Sequence, residues 1–274
     1  MTLTAETPVP VATTRLRSRT RTSRIVQKAC IWAGPVMGAL FVLGFVVAGF
    51  FPPPSPDQSP AEVAAMIDAD RTAIRIGIVI CLASCTLLMP FFTAFTIQML
   101  RIERSRPILA YTQLALGALA TIEFVIPYVF MLVSTFRVGQ DPAVTQALFD
   151  ISWFFFLGVI STFVLQLAIF GVAVLIDART EPIFPRWLGY LNLWLSLMFT
   201  PASFLVFFKT GPLAWNGAFV WWLPVTAFLV WFFPNFVCLL RAVDQDGEEP
   251  FALDEDLRSE VAELRRLVEA LPAR

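Results

Sequence analysis

A single carboxylate stands deep inside an apolar stretch: Glu123, about ten residues, or roughly 15 Å of helix rise, from the outer end of residues 108–133. An ionisable group at such a depth is costly, and it faces a bundle interior or a wet cavity with a partner. Arg75, Arg137 and Lys209 fall on the same side of the expected topology, Arg75 being the nearest by position in the chain. Pro127, four residues on, has no N–H for the Glu123 carbonyl and would bend the helix there. Two readings stay open. One is an outward-facing polar pocket or proton-coupled site drawing on Glu123, Arg75, Asp150 and Lys209; the other is a protonated or salt-bridged glutamate that pins one helix contact.

Other chemistry is thin. The chain has no histidine, which removes the usual haem ligand, the commonest zinc ligand, the Ser/His/Asp triad and any imidazole switch. Cys30, Cys81, Cys85 and Cys238 all lie in apolar stretches, so they read as small fillers and not as a disulfide framework or a metal site. No Walker loop, dinucleotide fingerprint, GxSxG elbow or HExxH motif occurs. No catalytic residue, metal or cofactor is expected, and an enzyme working through Glu123 and Asp150 ranks behind other classes.

The elements that must position these groups are membrane spans. Of 274 residues, 57% are apolar and 15% charged, against about 25% charged in an ordinary soluble domain. Six stretches meet the length needed to cross a bilayer: 29–51, 76–100, 108–133, 149–176, 187–208 and 218–240. The fold class expected is all-α, a polytopic bundle of six transmembrane helices. Twelve Lys and Arg flank one side against four on the other, so the positive-inside rule predicts both termini cytoplasmic. The net charge of −1 speaks against a nucleic-acid partner. The run from Ala29 to Phe51 exceeds a signal-peptide core and is followed by Phe-Pro-Pro-Pro, which predicts an uncleaved span.

Residues 1–28 form a basic segment expected to be disordered. In the outside connection, Ser59, Pro60 and Glu62 predict a capped helix with a Val63, Met66, Ile67 stripe, either a lid on the membrane surface or a piece packed over the bundle. Asp141 and Pro142 repeat the signal, and the fourth span is expected to run in from there as one piece, with Asp150 at its edge. The tail, 241–274, opens with Asp244, Asp246, Glu248 and Glu249. It then sets Leu257, Val261, Leu264, Val268 and Leu271 on one helical face, a short cytoplasmic helix for self-association or docking of a protein partner.

Asp150, Trp153, Gln166, Asn192, Asn235, Gln98 and Gln113 supply the remaining polar groups, most of them expected to tie helices together. Pro90, Pro127, Pro201, Pro224 and Pro234 interrupt four of the six spans, an arrangement that can open a central cavity. Gly34 and Gly38 form a GxxxG, and Gly44 with Ala48 repeats the small-residue spacing, for close packing within the chain or between chains.

Trp187, Tyr190 and Trp194 open the fifth span at one interface, and Lys209, Trp215, Trp221 and Trp222 mark the other, as aromatic belts do. The segment Phe184-Pro185-Arg186-Trp187 with Gly189, Tyr190 and Asn192, the segment Phe207 to Gly217, Phe51-Pro52 and the Asp150 to Trp153 spacing together resemble a family of bacterial six-span membrane proteins, over about residues 29–240. That resemblance implies a six-helix inner-membrane protein and carries no substrate or catalytic residue. Two functions compete: a non-enzymatic accessory or scaffold component, and a carrier or binding protein for a small lipophilic molecule at Glu123.

Overall fold

The computed structural model describes residues 11–103 and 106–245, with Glu263 and Arg266 in the tail; side chains are described from residue 23. Among these residues the fold is helical throughout, with no strand. Six helical stretches are long and apolar enough to cross a membrane: Ser23–Val47, Arg71–Glu103, Ile108–Phe136, Pro142–Ile176, Arg186–Phe207 and Ala218–Gln245. The protein is a multi-pass helical bundle. The helices are α1 (Val11–Val47), α2 (Pro60–Ala69), α3 (Arg71–Cys85), α4 (Leu88–Glu103), α5 (Ile108–Phe136), α6 (Pro142–Trp153), α7 (Ser161–Ile176), α8 (Arg186–Phe199) and α9 (Leu223–Gln245).

Local chemistry explains where spans start and break. Asp141 caps α6 by accepting from the Ala143 N–H at 2.8 Å, so the fourth span begins well before residue 149, and Asp150 lies eight residues inside it. In the second span, Pro90 cannot donate to the Thr86 carbonyl and crowds it; the helix parts at Thr86–Leu87, between α3 and α4. Pro201 acts the same way on Leu197, and α8 tightens into a 3-10 helix over Thr200–Phe207. Pro127 and Pro234, and also Pro35, sit inside continuous helices. The fourth span is not one piece: α6 widens into a π turn, Phe154–Gly158, and Val159 and Ile160 leave the helix before α7 begins. This break has no proline, and it packs on the 3-10 helix of the fifth span, the protein-covered setting that irregular backbone needs at such depth.

Helix α2 is a piece of the bundle's outer cover. The Ser59 N–H donates to the Glu62 carboxylate at 2.7 Å and the Glu62 N–H returns to the Ser59 hydroxyl. The Ser59 N–H, and after it the Ser59 hydroxyl, which also donates to the carboxylate at 2.7 Å, hold the Glu62 carboxyl below the usual carboxylate range. Val63 and Ile67 are buried, and α2 rests on α6 and α3.

Close approaches occur at Gly34 and at the Gly44–Ala48 spacing, as expected, but not at Gly38. Gly38 has nothing within 4 Å of an added Cβ, whereas at Gly34 that atom would meet the Phe91 ring at 2.7 Å. The tightest contact is Gly44 with Gly77, where each added Cβ would lie 2.5 Å or less from the other's carbonyl oxygen. It joins α1 to α3 within the chain. Gly171 and Gly189 bring α7 and α8 together in the same way.

Two apolar clusters fill the interior. One, on the side of the chain termini, contains Phe91, Phe95, Phe170, Trp231 and Phe232. The other, towards α2, contains Phe45, Tyr128, Trp153 and Trp221. The proline-interrupted helices therefore surround packed aromatic rings; the central cavity expected from the prolines is filled.

Candidate functional site

The break in the fourth span positions the site. Thr162 is the second residue of α7, in the turn whose N–H groups have no partner within the helix. Its hydroxyl donates to the Glu123 carboxylate, which α5 carries across from it. The carboxylate thus lies beside the first turn of a half-helix that starts inside the bundle. One turn further along α7, Gln166 is buried, and neither its amide nitrogen nor its oxygen has a hydrogen bond. It lies against Gly117 of α5, where an added Cβ would come within 3.3 Å of Gln166 Nε2. Gln113, a turn below Gly117, is also buried, with its Oε1 unbonded. A polar seam between α5 and α7 therefore runs from Glu123 through Gln166 to Gln113.

Arg75 is not the partner of Glu123. Its guanidinium donates to the backbone carbonyls of Thr135 and Phe136, with Nε to the Thr135 hydroxyl at 3.2 Å. Arg71 joins it on the Thr135 carbonyl and reaches Arg137 O at 3.1 Å. Both arginines satisfy the last carbonyls of α5, where cations are favoured. Thr135 is twelve residues from Glu123, about 18 Å along the helix, so the two charges are out of reach of one another.

Asp150 is half-buried in α6, eight residues into the helix that Asp141 caps; the charge acting on it is Lys209. Twelve residues of the same span separate it from Thr162. The four candidates thus divide into three places: Glu123 with Thr162, Arg75 at the end of α5, and Asp150 facing the field of Lys209. No single outward pocket gathers them. The crevice the structure does show has room for roughly one water and lies beneath α2, between Ile67, Asp68, Arg71, Ser134, Arg137 and Thr145.

On the side of the termini, polar groups are joined. Gln98 Nε2 donates to Gln27 Oε1 at 3.0 Å, and Arg101 Nη1 to the Ala242 carbonyl at 3.0 Å. Trp231 Nε1 donates to Asn192 Oδ1 at 2.9 Å, and Asn192 Nδ2 to Asn235 Oδ1 at 3.2 Å. Asp177 holds the 177–186 turn, accepting from Arg179 Nε and Nη2 at 2.9 Å each and from the Ile183 N–H at 3.0 Å. Burial alone would raise its carboxyl, but these bonds and the Arg179 charge outweigh it and hold the group below the usual aspartate value. Lys28 pairs with Asp244 at 2.6 Å. The partner-helix residues Leu257, Val261, Leu264, Val268 and Leu271 lie outside the described residues; Glu263 and Arg266 between them are helical and exposed. Among the described residues there is no cluster of three metal-ligating side chains.

Sequence reasoning overlooked Thr162. The signal was Gly158 followed by Val159 and Ile160 and then Ser161-Thr162, a stop and a helix start inside an apolar run. Tyr128 was also passed over. The class the fold defines is the multi-pass α-helical membrane protein. Comparison of the chain with protein-family models, with curated proteins and with solved structures gives no match.

Proposed function

We propose that this chain is a non-enzymatic accessory or scaffold component of a bacterial inner membrane, with both termini in the cytoplasm. The observation that carries the reading is the Lys28–Asp244 ion pair. It joins Lys28, in the basic N-terminal part of α1, to Asp244, near the end of α9, so the two helices that carry the basic and acidic segments meet at one face of the bundle. A platform with two oppositely charged arms suits docking of a protein partner or of a second copy. The interhelical bonds of Asn192, Asn235, Gln98 and Arg101 supply rigidity, which a scaffold needs. The resemblance to bacterial six-span proteins and the excess of basic flanks support the membrane and the orientation.

The test is affinity capture of tagged chain from gently solubilised native membranes, quantified against a variant lacking residues 252–274. A stoichiometric partner or oligomer lost with the tail supports the reading; a monomer without partner in both preparations overturns it. Fusion of alkaline phosphatase to residue 245 is expected to be inactive, and an active fusion would reverse the orientation.

A second reading is favoured by one specific observation, the placement of Glu123 at the start of the half-helix α7. Such broken spans hold substrate or coupling ions in transporters, so a carrier using Glu123, Thr162 and Gln166 is the alternative. In that case Glu123→Gln abolishes transport while partner capture stays intact.

A further inference from the structure

Three of the largest buried side chains in the cluster beneath α2 are hydrogen-bond donors with no acceptor. Tyr128, Trp153 and Trp221 are 1%, 0% and 2% exposed. Tyr128 Oη, Trp153 Nε1 and Trp221 Nε1 have no hydrogen-bond partner among the described residues. A buried Tyr or Trp normally finds an acceptor for its polar end, and in a bilayer water does not make up the loss. One such group is ordinary strain; three in one cluster ask for an explanation.

All three surround the same pair of rings. Phe45 and Phe156 lie 5.4 Å apart between centroids. From Phe45, the rings of Tyr128, Trp153 and Trp221 are at 6.4, 6.2 and 6.0 Å. From Phe156 they are at 6.1, 6.0 and 6.5 Å. Phe45 belongs to the continuous helix α1 and is 1% exposed. Phe156 belongs to the π turn, next to the unwound Val159–Ile160, and is only half-buried. Of the five rings, Phe156 and Trp221 sit on π turns, Trp221 in Ala218–Trp222, and Phe156 is the less buried of the two; π turns recur at functional sites.

We propose that Phe156 is a displaceable plug, and that the space it fills is a binding site for a planar lipophilic molecule bearing carbonyl oxygens, the chemistry of a quinone ring. The walls are flat and apolar, which suits a ring. The polar groups on them all donate, which suits a ligand that only accepts. The nearby thiols add no donor to the site, since Cys81 and Cys85 already give their S–H groups to the carbonyls of Phe41 and Cys81. The site is independent of Glu123 and of the tail, and it stands or falls apart from the scaffold reading.

The experiment uses the full chain in phosphatidylcholine nanodiscs, titrated with decylubiquinone and followed by quenching of tryptophan fluorescence. Saturable quenching at one quinone per chain is expected. Tyr128→Phe and Trp221→Phe each weaken it about five- to tenfold, the equivalent of one hydrogen bond. Phe156→Ala tightens it, a gain that a misfolded variant would not produce, and Glu123→Gln leaves it unchanged. Decylbenzene, with the same tail and no carbonyl, does not saturate. The proposal is overturned by quenching that stays linear and equal in all variants, by equal quenching with decylbenzene, or by a quinone signal in detergent that phosphatidylcholine abolishes, which would assign the donors to lipid ester carbonyls.

Discussion

The two halves of the bundle differ in how their buried tryptophans are satisfied, although Trp215 under α2 does donate to the Pro54 carbonyl at 2.7 Å. Near the termini, Trp231 is 3% exposed and its Nε1 donates to Asn192, which is itself bonded to Asn235 and to the Leu188 carbonyl. Under α2, Trp153 and Trp221 are as deeply buried, and their Nε1 atoms have no acceptor. The rings pack equally well, so apolar burial is common to both halves. What differs is whether a second helix supplies an oxygen. A closed polar triad fixes α8 against α9, whereas open donors mark a place where the packed state is not the best one available to the side chains.

Breaking each half should therefore have different consequences. The largest effect is expected from Gly77→Leu, because its side chain would start 2.3 Å from the Gly44 carbonyl and must push backbone from backbone. A loss of about 3 kcal/mol or more is expected, read as a lowered unfolding midpoint in SDS, while Gly38→Ala shifts it by less than about 0.5 kcal/mol. Asn192→Leu comes next. It strands Trp231 Nε1 and the Asn235 amide together, at a cost of about 2 kcal/mol, whereas Tyr128→Phe removes a donor that had no partner and leaves the midpoint unchanged or slightly raised.

Smaller effects belong to two carboxylates outside the spans, Asp177 and Glu62, one on each side. Asp177 has its value depressed in the folded protein, so its stabilisation is full above the ordinary aspartate value and is lost as pH falls through the lowered one. An acid titration of wild type against Asp177→Asn should converge at the acidic end, with proteolysis of the 177–186 turn as the readout. Ser59→Ala removes the cap of α2 and should cost about 1 kcal/mol of that helix. Its signature is faster amide exchange over residues 60–69 with α5 and α9 unaffected. The depressed Glu62 value gives the same sign: protection of α2 is present above the ordinary carboxylate range and fades as pH falls below it.

Much of this was legible in the residues. Six apolar runs, the Ser59–Pro60–Glu62 and Asp141–Pro142 caps, and the helix-tying role of the amides Asn192 and Asn235 all act through neighbours in sequence or through the cost of burying polar groups in lipid. Glu123 was singled out for the same reason. Its partner was not found, because Arg75 and Thr162 are equally plausible along the chain and only the helix register decides between them. Of the tightest glycine contact, the Gly44–Ala48 side was legible and its partner Gly77 was not, for a related reason: a small-residue spacing states that one helix has a flat face, and not which helix meets it.

The sequence by itself determined the solvent of this protein, the number of its spans and where helices begin, since composition, length and caps are local quantities. Tertiary structure alone decided that the fourth span unwinds beside Glu123, that Arg75 closes the end of α5, and that three buried donors surround Phe45 and Phe156. Those are relations between helices brought together by packing. Their energies depend on distances across the bundle that no spacing along a single helix contains.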